Sequence, residues 1–336
     1  MTRVAINGLG RIGRALVKIL YETDDFELIA VNEIAAADNI AYLLKHDSVY
    51  GNYERHVESK DGELIVGDET YSYLNEKEPG NLPWAEMNID IVFECTGIFR
   101  TKDQISPHID AGADRVILSA PAKSDDIDMV VHGVNSPENG NARIISCASC
   151  TTNCISPVME IADRTLGVEK ATMTTIHAYT SSQNIVDGPH SKYRRGRSGA
   201  VNFVPTSTGA AIATQKALPS LKGKFDGVAV RGPIPVGSVA DIVFVASEAT
   251  SAEEINDIFW GESHTDRYDK VLDVAEDPVV SSDIVQDPHA SIFDPSMTQV
   301  VGGDLVKVMA WYDNEWGFTN QMVREARNMM RNEVKA

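Results

Sequence analysis

The segment that most narrows the choice of fold lies at the start of the chain. The apolar run Val4-Ala5-Ile6 leads into Gly8-Leu9-Gly10-Arg11-Ile12-Gly13, and residues 12–21 then carry apolar side chains at helical spacing. A strand, a glycine turn and a helix in that order open a βαβ unit. Gly8 permits the tight turn, Gly10 lets the backbone approach a pyrophosphate, and Gly13 lets helix and strand pack closely. The helix N-terminus presents unpaired N–H groups to phosphate. A second strand, 28–31, ends beside Glu33, about 20 residues beyond the glycines, where an acidic side chain accepts hydrogen bonds from ribose hydroxyls and repels a 2′-phosphate. The pattern predicts a dinucleotide site and favours NAD, with NADP admitted if a neighbouring Arg or Lys meets its extra phosphate.

Further strands are expected at 89–93, 115–118 and 142–145. Strands alternating with helices predict a parallel sheet covered on both faces. From about Lys170 the texture changes to longer alternating runs at 171–177, 227–231, 239–247 and 305–312, with helical segments at 209–217 and 251–259 between them. That predicts an antiparallel sheet with helices on one face. A chain of 336 residues is too long for one compact core. The expected class is α/β: a Rossmann-type, doubly wound N-terminal domain over 1–149, then an α+β catalytic domain over 150–316 with a largely antiparallel sheet. A C-terminal helix, 317–336, is expected to return to the first domain. There is no internal repeat, low-complexity tract or long linker.

Asp and Glu number 49 against 30 Lys and Arg, a formal charge of −19, which repels nucleic acid and anionic membrane surfaces. No run approaches the roughly 18 to 20 apolar residues of a membrane-spanning helix, and the chain opens on a strand without a leader pattern. The expectation is a cytoplasmic enzyme acting on a small molecule. The acidity is spread over Asp24-Asp25, Asp125-Asp126, 253–257 and Glu276-Asp277. It predicts adaptation to high salt, where screening removes carboxylate repulsion; the plainer alternative is an acidic mesophilic enzyme.

Four cysteines are too few for a disulfide scaffold, yet Cys147, Cys150 and Cys154 lie within eight positions. Ser149-Cys150-Thr151-Thr152 precedes apolar residues at helical spacing, so Cys150 is expected at a helix start, where the macrodipole stabilises a thiolate and lowers its pKa. The thiolate is a nucleophile needing a proton-transfer partner. His177, closing the strand 171–176, is the best candidate; His46, His56 and His108 fall in surface-like segments and His190 in a long loop. The CxxC of Cys147 and Cys150 also fits a redox pair, or part of a zinc site lacking its other ligands, so no metal is expected. Cys95, in an apolar strand, is expected to be buried and inert. Residues 183–202 form a long loop with Arg194, Arg195 and Arg197, the length usual for a functional or interfacial segment.

The string Ser149-Cys150-Thr151-Thr152-Asn153-Cys154, with His177-Ala178-Tyr179-Thr180, residues 205–211 (PTSTGAA) and 311–317 (WYDNEWG), resembles the glyceraldehyde-3-phosphate dehydrogenase family along essentially the whole chain. The resemblance implies that Cys150 attacks an aldehyde, that His177 takes the proton, and that inorganic phosphate releases the acyl group. It implies Thr180 and Arg231 at the substrate phosphate, Ser149, Thr151, Thr208 and Gly209 at inorganic phosphate, and Arg195 between the two. It places Gly8, Gly10, Arg11, Ile12 and Gly13 at the pyrophosphate, Glu33 and Lys77 on the adenosine side, and Ser119 and Asn314 near the nicotinamide. It also implies a homotetramer. The chain departs from the family at Cys147, where Asn is usual, in the 232–237 segment, at Lys77, where Arg is commoner, and at Asn32-Glu33, which resembles the erythrose-4-phosphate dehydrogenase branch. That branch, or a catalytically silent NAD-binding or redox-sensing relative, is the alternative.

Overall fold

The computed structural model describes residues 1–137 and 142–333. The chain divides into two compact units: residues 1–130 with the segments around 142–148 and after 322, and residues 149–321 with 131–135.

The first unit contains β1 (Thr2–Asn7), α1 (Arg11–Tyr21), β2 (Phe26–Asn32), α2 (Ala37–Lys45), a short hairpin of β3 (His46–Asp47) and β4 (Gly51–Asn52), then β5 (Val57–Lys60), β6 (Glu63–Val66), β7 (Glu69–Leu74), α3 (Trp84–Met87), β8 (Ile91–Glu94), α4 (Lys102–Asp110), β9 (Arg115–Leu118), β10 (Asp128–Met129) and β11 (Ile144–Ser146). Nine of these strands form one sheet in the order β10-β11-β9-β8-β1-β2-β7-β6-β5. From β10 to β7 every pairing is parallel. Central strands of such a sheet are covered on both faces, which is why β1 and β8 read as unbroken apolar runs; Val4, Ala5, Ile6, Ile91, Val92 and Phe93 are all fully buried.

The antiparallel arm β5-β6-β7 was not anticipated, because its strands carry many charges. Its signal was the Asp61-Gly62 pair: both take positive φ, 52° and 85°, as a tight hairpin turn requires.

A buried polar cluster ties the strand ends of this sheet to α3 and α4. Asn32 Nδ2 donates to Asn7 Oδ1 at 2.7 Å, and Asn7 Nδ2 donates in turn to Glu94 Oε2. Glu94 Oε1 accepts the Thr96 N–H at 2.8 Å and the Thr96 hydroxyl. His108 Nε2 lies 3.2 Å from Glu94 Oε2, while Trp84 Nε1–H donates to His108 Nδ1 at 3.0 Å. An indole only donates, so the His108 ring proton sits on Nε2, facing the carboxylate. His108, expected at the surface, is fully buried; it lies on the inner face of α4, a short helix whose polar sequence hides that face. His46 and His56 are exposed as expected.

The second unit contains α5 (Cys150–Leu166), β12 (Val168–Ala178), β13 (Val204–Ser207), α6 (Ala210–Ala217), β14 (Phe225–Gly232), β15 (Ser238–Ala246), α7 (Ala252–Ser263), β16 (Leu272–Val274), β17 (Ser291–Phe293), β18 (Gln299–Val301) and β19 (Leu305–Tyr312). The sheet order is β13-β14-β12-β15-β19-β17-β16, with β18 also on β19. Pairings are antiparallel except β12 with β14 and β16 with β17. Helix α5 is buried without interruption from Thr151 to Ala162, and its Ile155, Val158, Met159 and Ile161 pack into a core with Met173, Ile242, Phe244 and Val308. A helix enclosed in this way takes Thr151 and the residues after it into the interior and leaves Ser149 and Cys150 half-buried at its start.

The last helix, α8 (Trp316–Glu333), begins in the second unit and from Met322 belongs to the first. There Arg327 forms an ion pair with Asp25 and stacks over the Phe26 ring. Residues 334–336 of the expected helix lie outside the described residues.

Candidate active site

In the first unit a cavity of about 440 Å³ is lined by Asn7, Gly8, Gly10, Asn32, Glu33, Ile34, Lys77 and Cys95, among others. The glycines have the backbone angles and clearances of a tight strand-to-helix turn. Gly8 has φ +96°, and a Cβ there would lie 2.8 Å from Thr96 N; a Cβ on Gly13 would lie 2.0 Å from the Gly8 carbonyl oxygen. Gly10 has nothing within 4 Å on that side, so its backbone is open to a ligand. The Glu33 carboxylate is held by two backbone donors, Leu9 N–H at 2.8 Å and Ala35 N–H at 3.1 Å. Arg11 pairs with Asp47 at 2.6 Å, and Lys77 is exposed at the cavity. Cys95 falls just after β8 and is half-buried against this cavity rather than inside a strand; Ser119 hydrogen-bonds its thiol, and burial pushes that thiol far up. The open backbone at Gly10, the helix start behind it and the anchored Glu33 suit the pyrophosphate and ribose of a dinucleotide.

Ala148, the residue before the second unit resumes at Ser149, takes a left-handed conformation, φ +58°, just ahead of α5. Ser149 then caps the helix, its Oγ accepting the Thr152 N–H at 3.2 Å, so Cys150 is the first helical residue. Its Sγ lies 3.4 Å from His177 Nε2. His177 ends β12 at 6% exposure, and its Nδ1 lies 2.7 Å from the Ala178 carbonyl oxygen. A carbonyl only accepts, so Nδ1 carries the proton and Nε2 faces the sulfur as an acceptor. Beneath the pair, the Tyr312 hydroxyl bonds Thr151 Oγ1 at 2.9 Å and Thr175 Oγ1 at 2.8 Å, with its ring edge-on to His177.

The surroundings act on the expected depression of the thiol in both directions. Burial pushes the Cys150 thiol up, while Thr151 hydrogen bonding and the Arg231 charge pull against it. Burial, then the charges of Arg231 and Arg195, lower His177 from 6.5 to about 4, with only the Ala178 hydrogen bond opposing them. Burial thus opposes charge on either partner, while the helix start, the Thr151 hydrogen bonds and the Arg231 guanidinium favour an anion on the sulfur.

Two guanidiniums converge nearby. Arg231 pairs with His177 in the β12–β14 ladder, and its Nη1 donates to Thr180 Oγ1 at 2.7 Å; its Nε is buried without a partner. Arg195 donates to Thr206 Oγ1 at 2.9 Å and to the Ser207 carbonyl at 3.2 Å. Each sits in the other's field or that of the Cys150–His177 pair, which marks one positively charged locus. Of the basic run in the loop, only Arg195 turns inward; Arg197 is neutralised by Asp187 at 2.8 Å, and Arg194 is exposed. The loop is folded on itself by bonds such as Gly188 N–H to the Gly196 carbonyl. Thr208 Oγ1 accepts the Ala210 N–H, and Gly209 precedes α6 with open space where a Cβ would stand. Asn314, just past β19, is held at its Oδ1 by the Ser238 hydroxyl.

Cys150 differs from the other cysteines by its contact with an imidazole. All four are free thiols; Cys147 and Cys154 are buried, and burial raises both thiols.

Two family models match the chain: the NAD-binding domain of glyceraldehyde 3-phosphate dehydrogenase over residues 2–102, and the C-terminal domain of the same protein over residues 149–314. The chain belongs to the glyceraldehyde 3-phosphate dehydrogenase family. Its relatives there include glyceraldehyde-3-phosphate dehydrogenase 2 of Streptomyces avermitilis, 45% identical over 96% of both chains. The enzyme of Mycobacterium avium is 46% identical over 96% of both chains. Glyceraldehyde-3-phosphate dehydrogenase 2 of Bacillus subtilis is 43% identical over 97% of this chain and 96% of its own. Membership makes this chain a nicotinamide-dependent oxidoreductase with a dinucleotide-binding unit and a catalytic unit. Tyr312, Thr175, Thr206 and Ser238 also support the site, through hydrogen bonds to Thr151, Tyr312, Arg195 and Asn314. Only Tyr312 had a signal, an aromatic ending an apolar strand; the hydroxyl residues are indistinguishable in sequence from ordinary strand residues.

Proposed function

We propose that this chain oxidises D-glyceraldehyde 3-phosphate to 1,3-bisphosphoglycerate, using NAD and inorganic phosphate. The observation that carries this is the 3.4 Å approach of Cys150 Sγ to an acceptor nitrogen of His177, with Arg231 and Arg195 beside the pair. Nε2 takes the thiol proton as sulfur attacks the aldehyde carbon, so the thiolate exists where the new C–S bond forms. The Cys150 N–H and the protonated His177 stabilise the oxyanion. The nicotinamide, when bound, supplies the two-electron oxidant. His177 passes the thiol proton to the oxyanion to form the hemiacetal hydroxyl, and its freed Nε2 takes the hydroxyl proton back as the C–H hydride leaves, so that a thioester remains on Cys150. Attack by phosphate oxygen on that carbonyl breaks the C–S bond and releases the acyl phosphate.

Arg231 and Thr180 hold the substrate phosphate, and Ser149, Thr151, Thr208 and Gly209 receive inorganic phosphate, with Arg195 between. Gly8, Gly10, Arg11, Ile12 and Gly13 hold the pyrophosphate, Glu33 and Lys77 the adenosine, and Ser119 and Asn314 the nicotinamide end. Glu33, anchored as an acceptor, favours NAD over NADP. The test is phosphate-dependent NADH production: Cys150→Ser is expected to abolish it and leave NAD binding within about twofold. Near-normal turnover of that variant would contradict the covalent route.

Erythrose-4-phosphate dehydrogenase is the second reading, favoured by Asn32-Glu33. Product formed from erythrose 4-phosphate without inorganic phosphate would select it. We also assign the protein to the cytoplasm and to a homotetramer. The exposed Val186, Tyr193 and Phe203, 78%, 90% and 72% accessible, support the tetramer by offering apolar surface for subunits to bury.

A further inference from the structure

His177 and Asn314 lie at the ends of different strands, and one serine joins them. Ser238 opens β15 at 1% exposure, opposite Tyr312 in the β15–β19 register. Its Oγ accepts the Ala178 N–H at 3.1 Å. A backbone N–H only donates, so the Ser238 proton is directed elsewhere, and it goes to Asn314 Oδ1 at 3.0 Å. The Asn314 amide is thereby oriented: its oxygen is engaged inward, and its two N–H donors remain for a ligand carbonyl. Ala178, at the other end of this link, also supplies the carbonyl that fixes the His177 tautomer. One buried sequence of hydrogen bonds thus runs from Asn314 through Ser238 and Ala178 to His177 and Cys150.

We propose that Ser238 is a positioning residue for the nicotinamide: it sets the orientation of the Asn314 amide, and it ties that amide to the residue that orients the catalytic imidazole. The inference rests on the reading above that Asn314 meets the nicotinamide carboxamide. The plainer role for a buried serine is to satisfy the Ala178 N–H. That role predicts a general loosening of the unit rather than a selective loss at one end of the dinucleotide. Without the hydroxyl, Asn314 Oδ1 loses its anchor and the amide turns freely about χ2, so an oxygen competes with the donors for the same ligand carbonyl.

The experiment measures Kd by calorimetry for NAD and for ADP-ribose, which shares the adenosine and pyrophosphate but lacks nicotinamide. Four proteins are compared: the parent chain, Ser238→Ala, Asn314→Ala and the double variant. Ser238→Ala is expected to weaken NAD about tenfold and leave ADP-ribose unchanged. In the Asn314→Ala background it is expected to weaken NAD no further, because it acts through that amide. Equal weakening of NAD and ADP-ribose, or additive effects on NAD, would overturn the proposal. If Asn314→Ala itself leaves the NAD to ADP-ribose ratio unchanged, the underlying assignment of Asn314 fails. If Asn314→Ala is selective and Ser238→Ala is not, the role of Ser238 alone fails.

Discussion

A histidine kept neutral by its surroundings is the most informative single side chain here. His177 is pulled down to about 4 from 6.5. Its folded-state pKa lies below its unfolded one, so as pH falls the unfolded chain binds the proton first. The stabilisation is complete above about 6.5 and is lost progressively toward about 4, amounting to roughly 3 kcal/mol. We expect His177→Asn to flatten the pH dependence of urea-unfolding stability by that amount across that window, and an unchanged profile would contradict the assignment. Sequence picked out His177 and Cys150 as residues. The burial that opposes charge on both partners depends on how α5 and β12 pack, which residue type and spacing do not reveal.

At the scale of elements, the glycine turn between β1 and α1 is the most tightly specified piece. A Cβ on Gly13 would sit 2.0 Å from the Gly8 carbonyl oxygen, so Gly13→Ala must push α1 away from β1. We expect a loss of about 1–3 kcal/mol in stability and at least a tenfold loss in NAD affinity, read by thermal unfolding and calorimetry. A variant with parental Tm and Kd would show that the close packing is not required. The strands β9 and β19 fall where their apolar alternation placed them, 115–118 and 305–312. The arm β5-β6-β7 did not declare itself by periodicity, since only one face of an edge arm is buried; its Asp-Gly turn was the available sign. Helix α4 was obscured for the opposite reason: it buries only Ile105 and His108, too few apolar positions to mark an inner face.

Over the whole molecule, charge is the property that composition controls. The acidic positions Asp24-Asp25, Asp125-Asp126, Glu253, Glu254, Asp257 and Glu276-Asp277 are nearly all exposed, as a solvated, mutually repelling surface requires. We propose that they fit the protein to high salt. Screening shortens from about 10 Å at 0.1 M to about 3 Å at 1 M, so Tm is expected to rise from 0.1 to 1 M KCl with activity retained. A fall in both would identify an ordinary acidic enzyme. The amino-acid sequence alone determined the opening strand, turn and helix, the change from a parallel to a largely antiparallel sheet, and the choice of Cys150 as the reacting cysteine, because those depend on local periodicity, turn chemistry and residue type. Tertiary structure alone decided which hydroxyls and guanidiniums meet that cysteine, that His108 is interior, and that Ser238 orients Asn314. Those outcomes depend on pairing between strands far apart in the chain, such as β12 with β14 and β15 with β19, and on the depth at which α5 is enclosed.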